Sequence, residues 1–182
     1  GLSPSSHPTQ ILSDIFTIQE IKKKNISKLN LCWIGDANNN MMNSLIEACL
    51  KFSVSLNIAC PKSYQPSKAL ISLIKKEKGK IKIFNKKELA IKNSDVVITD
   101  KIISINDKVN KKKKLQSFKN FKVDSKTMNF AKKDAIFMHC LPRGSEVTEK
   151  VFLSKQSKVW QQALNRVYVQ KSILLYCFNK LR

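Results

Sequence analysis

The chain has little of what usually announces a protein's class. No stretch approaches the ~20 consecutive apolar residues of a membrane-spanning helix, and no basic-then-apolar leader with a small-residue cleavage site opens it. The expected compartment is the cytoplasm. The five cysteines (Cys32, Cys49, Cys60, Cys140 and Cys177) are odd in number, widely spaced and without a C-x-x-C pair, so neither a disulfide framework nor a zinc site is indicated. They read as free thiols. There is no G-x-G-x-x-G dinucleotide fingerprint and no internal repeat. Arginine is scarce as well: of 34 basic residues only Arg143, Arg166 and Arg182 are arginine. That scarcity discounts the net charge of +21, which taken alone suggests a nucleic-acid or anionic-membrane partner. Nucleic-acid readers lean on arginine for bidentate and stacking contacts. Here lysine is spread over nearly every segment together with Asn and Ile, the mark of a bias toward A/T-rich codons. Specific nucleic-acid binding is therefore not expected, and the run Lys111 to Lys114 reads as a solvated helix face.

What is present fits one globular domain: 182 residues, 42% hydrophobic and 26% charged. Strand and helix patterns alternate. Leu29 to Ile34 reads as a first strand, followed by a polar turn and a helix from about Asn39 to Phe52 with Met42, Leu45, Ile46 and Cys49 on one face. Ser55 to Ala59 is a second strand. Ser67 caps a helix carrying Leu70, Leu73 and Ile74, and Lys80 to Phe84 is a third strand. Lys87 to Lys92 forms a helix turn, Asp95 to Asp100 a fourth strand and Ile136 to His139 a fifth. A long helix over Ser6 to Lys24 precedes them all. A last helix over Gln162 to Phe178 is marked by Val169, Ile173, Leu174 and Cys177. This order predicts an open, mainly parallel, Rossmann-like α/β sheet with helices on both faces.

In such a sheet ligands bind beyond the carboxyl ends of the strands, and four groups fall there. The turn Gly35-Asp36-Ala37-Asn38-Asn39 opens a helix and could meet an anion, although taken alone Asn39 is better read as an N-cap. Asp100 could accept an ammonium or merely face solvent. His139-Cys140 could set a thiol beside a reacting centre, or Cys140 could be an inert small apolar residue. Arg166 could clamp a phosphate or pair with a helix carboxylate.

Five segments, in order, turn this set into a pattern: His7-Pro8-Thr9-Gln10 with Asp14, Trp33 to Asn39, the strand ending in Asp100 with Ser104 beyond it, His139-Cys140-Leu141-Pro142-Arg143, and Asn165-Arg166. Together they resemble the carboxyl-terminal half of the ornithine carbamoyltransferases, and the His-Cys-Leu-Pro signature separates that branch from the aspartate enzymes. The resemblance runs from Gly1 to about Phe178. It implies carbamoyl transfer from carbamoyl phosphate to the δ-amine of L-ornithine, giving citrulline in arginine biosynthesis, with no metal or organic cofactor. It implies that His7, Pro8, Thr9, Gln10, Cys140, Leu141 and Arg166 meet carbamoyl phosphate, that Asn39, Asp100, Ser104 and Ile105 meet ornithine, and that Cys140 is catalytic. It further implies a homotrimer assembled mostly through an amino-terminal domain that this chain does not contain. On this reading residues 1–24 are an interdomain helix, 25–160 the ornithine-binding domain, and 161–182 a helix returning toward the other domain.

Departures from the pattern qualify the reading. The phosphate-cradling Ser-Thr-Arg-Thr motif is absent, so the chain alone is expected to be inactive. In the loop after Asp100, Ile102, Ile105 and Asn106 stand where the family has Trp, Met and Gly; Leu164 replaces the usual Glu before Asn165. The altered loop keeps open a related carbamoyltransferase acting on another amine, and the charge keeps open a non-catalytic basic nucleic-acid-binding module.

Overall fold

Neighbouring residues along each central strand enter different cores, because successive side chains of a strand point to opposite faces. The computed structural model describes residues 2–103 and 110–180. Within them the order is α1 (Pro8–Lys22), β1 (Asn30–Ile34), α2 (Asn40–Lys51), β2 (Ser55–Ala59), α3 (Lys68–Lys76), β3 (Ile81–Phe84), α4 (Lys87–Ile91), β4 (Val96–Thr99), α5 (Lys111–Ser117), α6 (Ser125–Met128), β5 (Ile136–His139), α7 (Glu149–Phe152) and α8 (Val159–Cys177). Leu31 and Trp33 of β1, Val96 and Ile98 of β4, and Ile136 and Met138 of β5 join one core with Ile11, Ile15 and Ile18 of α1 and Leu45 and Ile46 of α2. Cys32 and Ile34, Val97, and Phe137 join the other, with Ala90, Phe118, Phe121, Val151 and Phe152. Both faces are thus covered, as near-continuous apolar strands require.

All four strand pairings are parallel, in the order β3-β2-β1-β4-β5. The chain runs outward through β2 and β3, then returns to place β4 on the other side of β1. The switch point therefore lies between β1 and β4, where the crevice of an open sheet is expected. The registers Trp33↔Ile98 and Thr99↔His139 set the ends of β1, β4 and β5 side by side.

The sequence reading of the long helix pattern after β5 differs from the structure. The buried residues of α8 are Val159, Gln162 and Asn165, whereas Leu174 and Cys177 are exposed. A polar ladder joins α8 to α1: Gln162 Nε2 donates to Asp14 Oδ1 at 2.8 Å, and Asn165 Nδ2 donates to Thr17 Oγ1 at 3.0 Å and to Glu20 Oε2 at 2.8 Å. Asp14 and Thr17, like Gln162 and Asn165, are three apart and share a helix face. Among the described residues no helix is long and apolar enough to cross a membrane, and all five cysteines are free.

Candidate active site

The turn after β1 begins at Gly35, whose φ of +145° disfavours a side chain. It brings Asp36 to the strand ends. There Asp36 pairs at 2.7 Å with Lys114, both side chains being buried, and the Lys114 ammonium also lies 5.5 Å from the centre of the Tyr64 ring. The run Lys111 to Lys114 is therefore not solvated throughout. Three of its lysines are exposed, while Lys114 points inward because a buried carboxylate and an aromatic face receive it.

Asn39 is the N-cap of α2: its Oδ1 accepts the Met42 N–H at 2.8 Å and its Nδ2 donates to the Asp36 carbonyl at 3.2 Å. The next turns of α2 hold the segment before α1. Asn40 and Asn43 donate to the carbonyls of Ser3 and Ser5, and buried Ser44 accepts the His7 N–H at 2.9 Å. His7 is thereby fixed at the start of α1, where Pro8 fits the first helical position.

From α8, Arg166 reaches across to this start. Its Nη1 donates to Gln10 Oε1 at 2.7 Å, and its Nη2 lies 3.4 Å from His7 Nε2. Burial first, then the Arg166 charge, lowers the His7 pKa, so the imidazole is kept neutral. Gln10 Nε2 donates to Asp14 Oδ1 at 2.8 Å. Since the amide NH2 of Gln10 is engaged, the side chain presents its oxygen to Arg166, as an acceptor.

The third wall is the loop after β5. His139 is fully buried; its backbone N–H donates to Gln162 Oε1 at 2.9 Å and its Nδ1 accepts the Leu141 N–H at 2.9 Å. An Nδ1 that accepts carries no proton, so Nε2–H is the donor to Glu146 Oε1 at 2.8 Å and the pair is a neutral imidazole on a carboxylate. Burial alone would raise Glu146. The hydrogen bonds from His139 and from the backbone of Gly144 and Glu146 outweigh it, and its pKa is lowered. These contacts hold Leu141 at φ +47°, sparsely populated for a residue with a side chain, ahead of a cis bond to Pro142. The loop, Gln10, Gln162 and Arg166 line one open cleft of about 490 Å³, with Cys140 and Arg143 in its wall. Arg143 rests 4.9 Å from the centre of the Phe152 ring.

Burial, followed by the charges of Asp100 and Asp14, pushes the Cys140 thiol well above its usual range. Cys140 is thus a protonated thiol at neutral pH rather than a thiolate nucleophile. Asp100, one residue beyond β4, has its pKa raised by burial and by the charges of Glu146 and Asp36, against the Lys101 N–H bond. Of the residues singled out in the sequence, His7, Gln10, Cys140, Leu141 and Arg166 come together here. Pro8 and Thr9 serve the turn that carries His7; Thr9 Oγ1 lies 3.5 Å from His7 Nδ1. Ser104, Ile105 and Asn106 lie outside the described residues. Ile102 is buried in the second core. Among the described residues no group of three or more His, Cys, Asp or Glu side chains could hold a metal ion.

Sequence reasoning did not give roles to Gln162, Glu146, Asp36 or Lys114. Only Asp14 had a local signal, its i, i+4 spacing from Gln10 on one helix face.

A parallel sheet of order β3-β2-β1-β4-β5, with a cleft beyond the end of β5 lined by Cys140, Arg143 and Arg166, defines an α/β domain of the doubly wound class. The chain belongs to the aspartate/ornithine carbamoyltransferase family: the description "Aspartate/ornithine carbamoyltransferase, Asp/Orn binding domain" matches residues 27–177. It is 42% identical over 181 residues to the ornithine carbamoyltransferase of Ruthia magnifica subsp. Calyptogena magnifica, covering 98% of this chain and 59% of that protein. With that of Methanosphaera stadtmanae it shares 38% over 186 residues, 99% of this chain and 61% of the other. Its fold superposes on the anabolic ornithine carbamoyltransferase of Campylobacter jejuni with a TM-score of 0.89 at 37% identity, covering 99% of this chain and 61% of that one. For the Pyrococcus furiosus enzyme the values are 0.87, 36%, 96% and 57%. The chain thus spans about three fifths of the length of these relatives.

Proposed function

We propose that the protein carrying this chain transfers the carbamoyl group of carbamoyl phosphate to the δ-amine of L-ornithine, forming L-citrulline and phosphate. The observation that carries the reading is the convergence of Gln10 and Arg166, with His7 beside the guanidinium, on one cleft with Cys140, in a chain of this family. The reaction needs a neutral amine, whose conjugate acid has a pKa of ~10. It forms a bond from nitrogen to the carbamoyl carbon, breaks the bond from that carbon to the phosphate oxygen, and releases the amine proton. Arg166 meets charge developing on the carbamoyl and phosphate oxygens, and His7 stands beside it. Gln10, holding out an oxygen, suits the amide N–H of the carbamoyl group. Cys140 and the Leu141 backbone flank the reacting centre. Asp100 takes the ornithine ammonium at the end of β4, with Asn39, Ser104 and Ile105 completing that subsite.

The same reading takes residues 25–160 as the ornithine-binding unit. It takes 1–24 and 161–182 as the helices that meet a carbamoyl-phosphate domain, and the whole as a homotrimer acting in the cytoplasm without a cofactor. The test is steady-state kinetics of the full-length protein with ornithine and with putrescine. Citrulline formation is expected, and Arg166→Lys should cost roughly 2 to 4 kcal/mol in kcat/KM, since an ammonium cannot reproduce a planar fork. Putrescine as the better substrate, or an unchanged kcat/KM in Arg166→Lys, would overturn the assignment.

A further inference from the structure

We propose that Asp14 is a positioning residue that fixes the orientation of two glutamines at once, Gln10 on the Arg166 side of the cleft and Gln162 beneath the His139 to Leu141 loop. The inference rests on the function proposed above for its effect on turnover, but its structural half stands by itself. Asp14 is 2% exposed, Gln10 3% and Gln162 1%. A primary amide has a donor end and an acceptor end of nearly equal size, so a buried glutamine can be inserted either way round unless its neighbours choose. Here they do. One oxygen, Asp14 Oδ1, accepts from Gln10 Nε2 and from Gln162 Nε2, each at 2.8 Å. With both NH2 groups drawn to the carboxylate, both carbonyl oxygens must face outward. That of Gln10 meets Arg166 Nη1 at 2.7 Å, and that of Gln162 takes the His139 N–H at 2.9 Å.

The two outer partners can only donate, and Asp14 Oδ1, which already takes two N–H groups, acts as acceptor. Every position of the chain Arg166, Gln10, Asp14, Gln162, His139 is thus determined. Reversing either amide would set donor against donor at one end and oxygen against oxygen at the other, among side chains that are almost wholly buried. Through Gln10 the hub decides that an acceptor, and not a donor, lies beside the guanidinium. Through Gln162 it holds the backbone from which His139 Nδ1 in turn fixes the Leu141 N–H. The other oxygen, Oδ2, is buried and has no hydrogen-bond partner among the described residues. Both glutamines are therefore served by a single atom, which an asparagine can also supply.

The experiment compares Asp14→Leu with Asp14→Asn in full-length protein carrying isotope-labelled glutamine, reading the side-chain amide signals of Gln10 and Gln162 together with steady-state kinetics. Asp14→Leu removes the acceptor. Both amide signals should move, and kcat should fall roughly 10²-fold, the scale of a small misplacement near the chemistry, with the ornithine KM changing less. Asp14→Asn keeps an oxygen at the hub, so both signals should stay and most of the lost activity should return. Signals unmoved in Asp14→Leu, or Asp14→Asn as impaired as Asp14→Leu, would overturn the proposal. If Asp14→Leu fails to fold, Asp14→Asn decides: signals in place with kcat retained support the hub, and displaced signals overturn it. Should the unmodified protein make no citrulline, the proposed function fails while the amide signals still judge the hub.

Discussion

Burial raises both Asp14 and Cys140, with different consequences near neutral pH. The thiol is merely kept protonated. The carboxyl of Asp14 is pushed up to about 7, chiefly by burial and further by the Asp100 charge, against the hydrogen bonds from Gln10 and Gln162 and the Arg166 charge. Its folded pKa thus exceeds its unfolded value of 3.8. Between about pH 4 and 7 the folded state then holds more protons than the unfolded one, and stability falls as pH rises through that window before levelling. Asp14→Asn removes this term. Relative to the unmodified protein the variant should gain stability from pH 4 to 8, by about 4 kcal/mol at most. Urea midpoints at the two pH values measure it, and an identical difference at both would show that Asp14 does not titrate in this range.

Helix starts carry much of the site, and α2 shows how a structural and a binding role can be separated. Asn39 caps the helix through Oδ1, so Asn39→Ala should cost about 1 kcal/mol of stability, whereas Asn39→Ser keeps a capping oxygen and should lie within a few tenths. If the Asn39 amide also serves ornithine, both variants should raise the ornithine KM despite their different stabilities. A KM that moves only in Asn39→Ala would leave Asn39 as a cap and nothing more; thermal denaturation beside the kinetics separates the two. The cap and the strands were legible in the sequence because each rests on local rules: a period of two, a period of 3.6, an Asn before an apolar face. All five strands fall where the apolar runs predict them. The α8 face was not legible, since its buried side chains Gln162 and Asn165 are polar and their partners on α1 lie some 148 residues away in sequence. Lys114 escaped for the same reason. Nothing next to it in sequence distinguishes it from Lys111, Lys112 and Lys113; Asp36, brought to the end of β1 by the fold, and the Tyr64 ring do. Residues whose partners lie far away in sequence were singled out only where the family pattern named them, as with His7, Gln10 and Arg166, which the fold brings into contact.

At the scale of the whole molecule, folding and catalysis make different demands. Two apolar cores cover the two faces of a continuous five-stranded sheet, and the α1 to α8 ladder closes one side. Such an arrangement has its own core and need not wait for another domain to fold. Catalysis requires more. Among the residues lining the cleft, Arg143 and Arg166 are the cations, and Arg143 is stacked on Phe152. A transferring phosphate is normally clamped by several donors at once, and the relatives are longer by about two fifths. Apolar side chains on α8 and at its C-cap, among them Val167 at 62%, Leu174 at 58% and Phe178 at 70% exposure, are left uncovered. The purified 182-residue chain should therefore unfold cooperatively, with a sigmoidal urea transition, yet form no citrulline from carbamoyl phosphate and ornithine. Turnover by the isolated chain that disappears in Cys140→Ala would show that these residues suffice for the reaction, and a non-cooperative transition would show that the two cores do not.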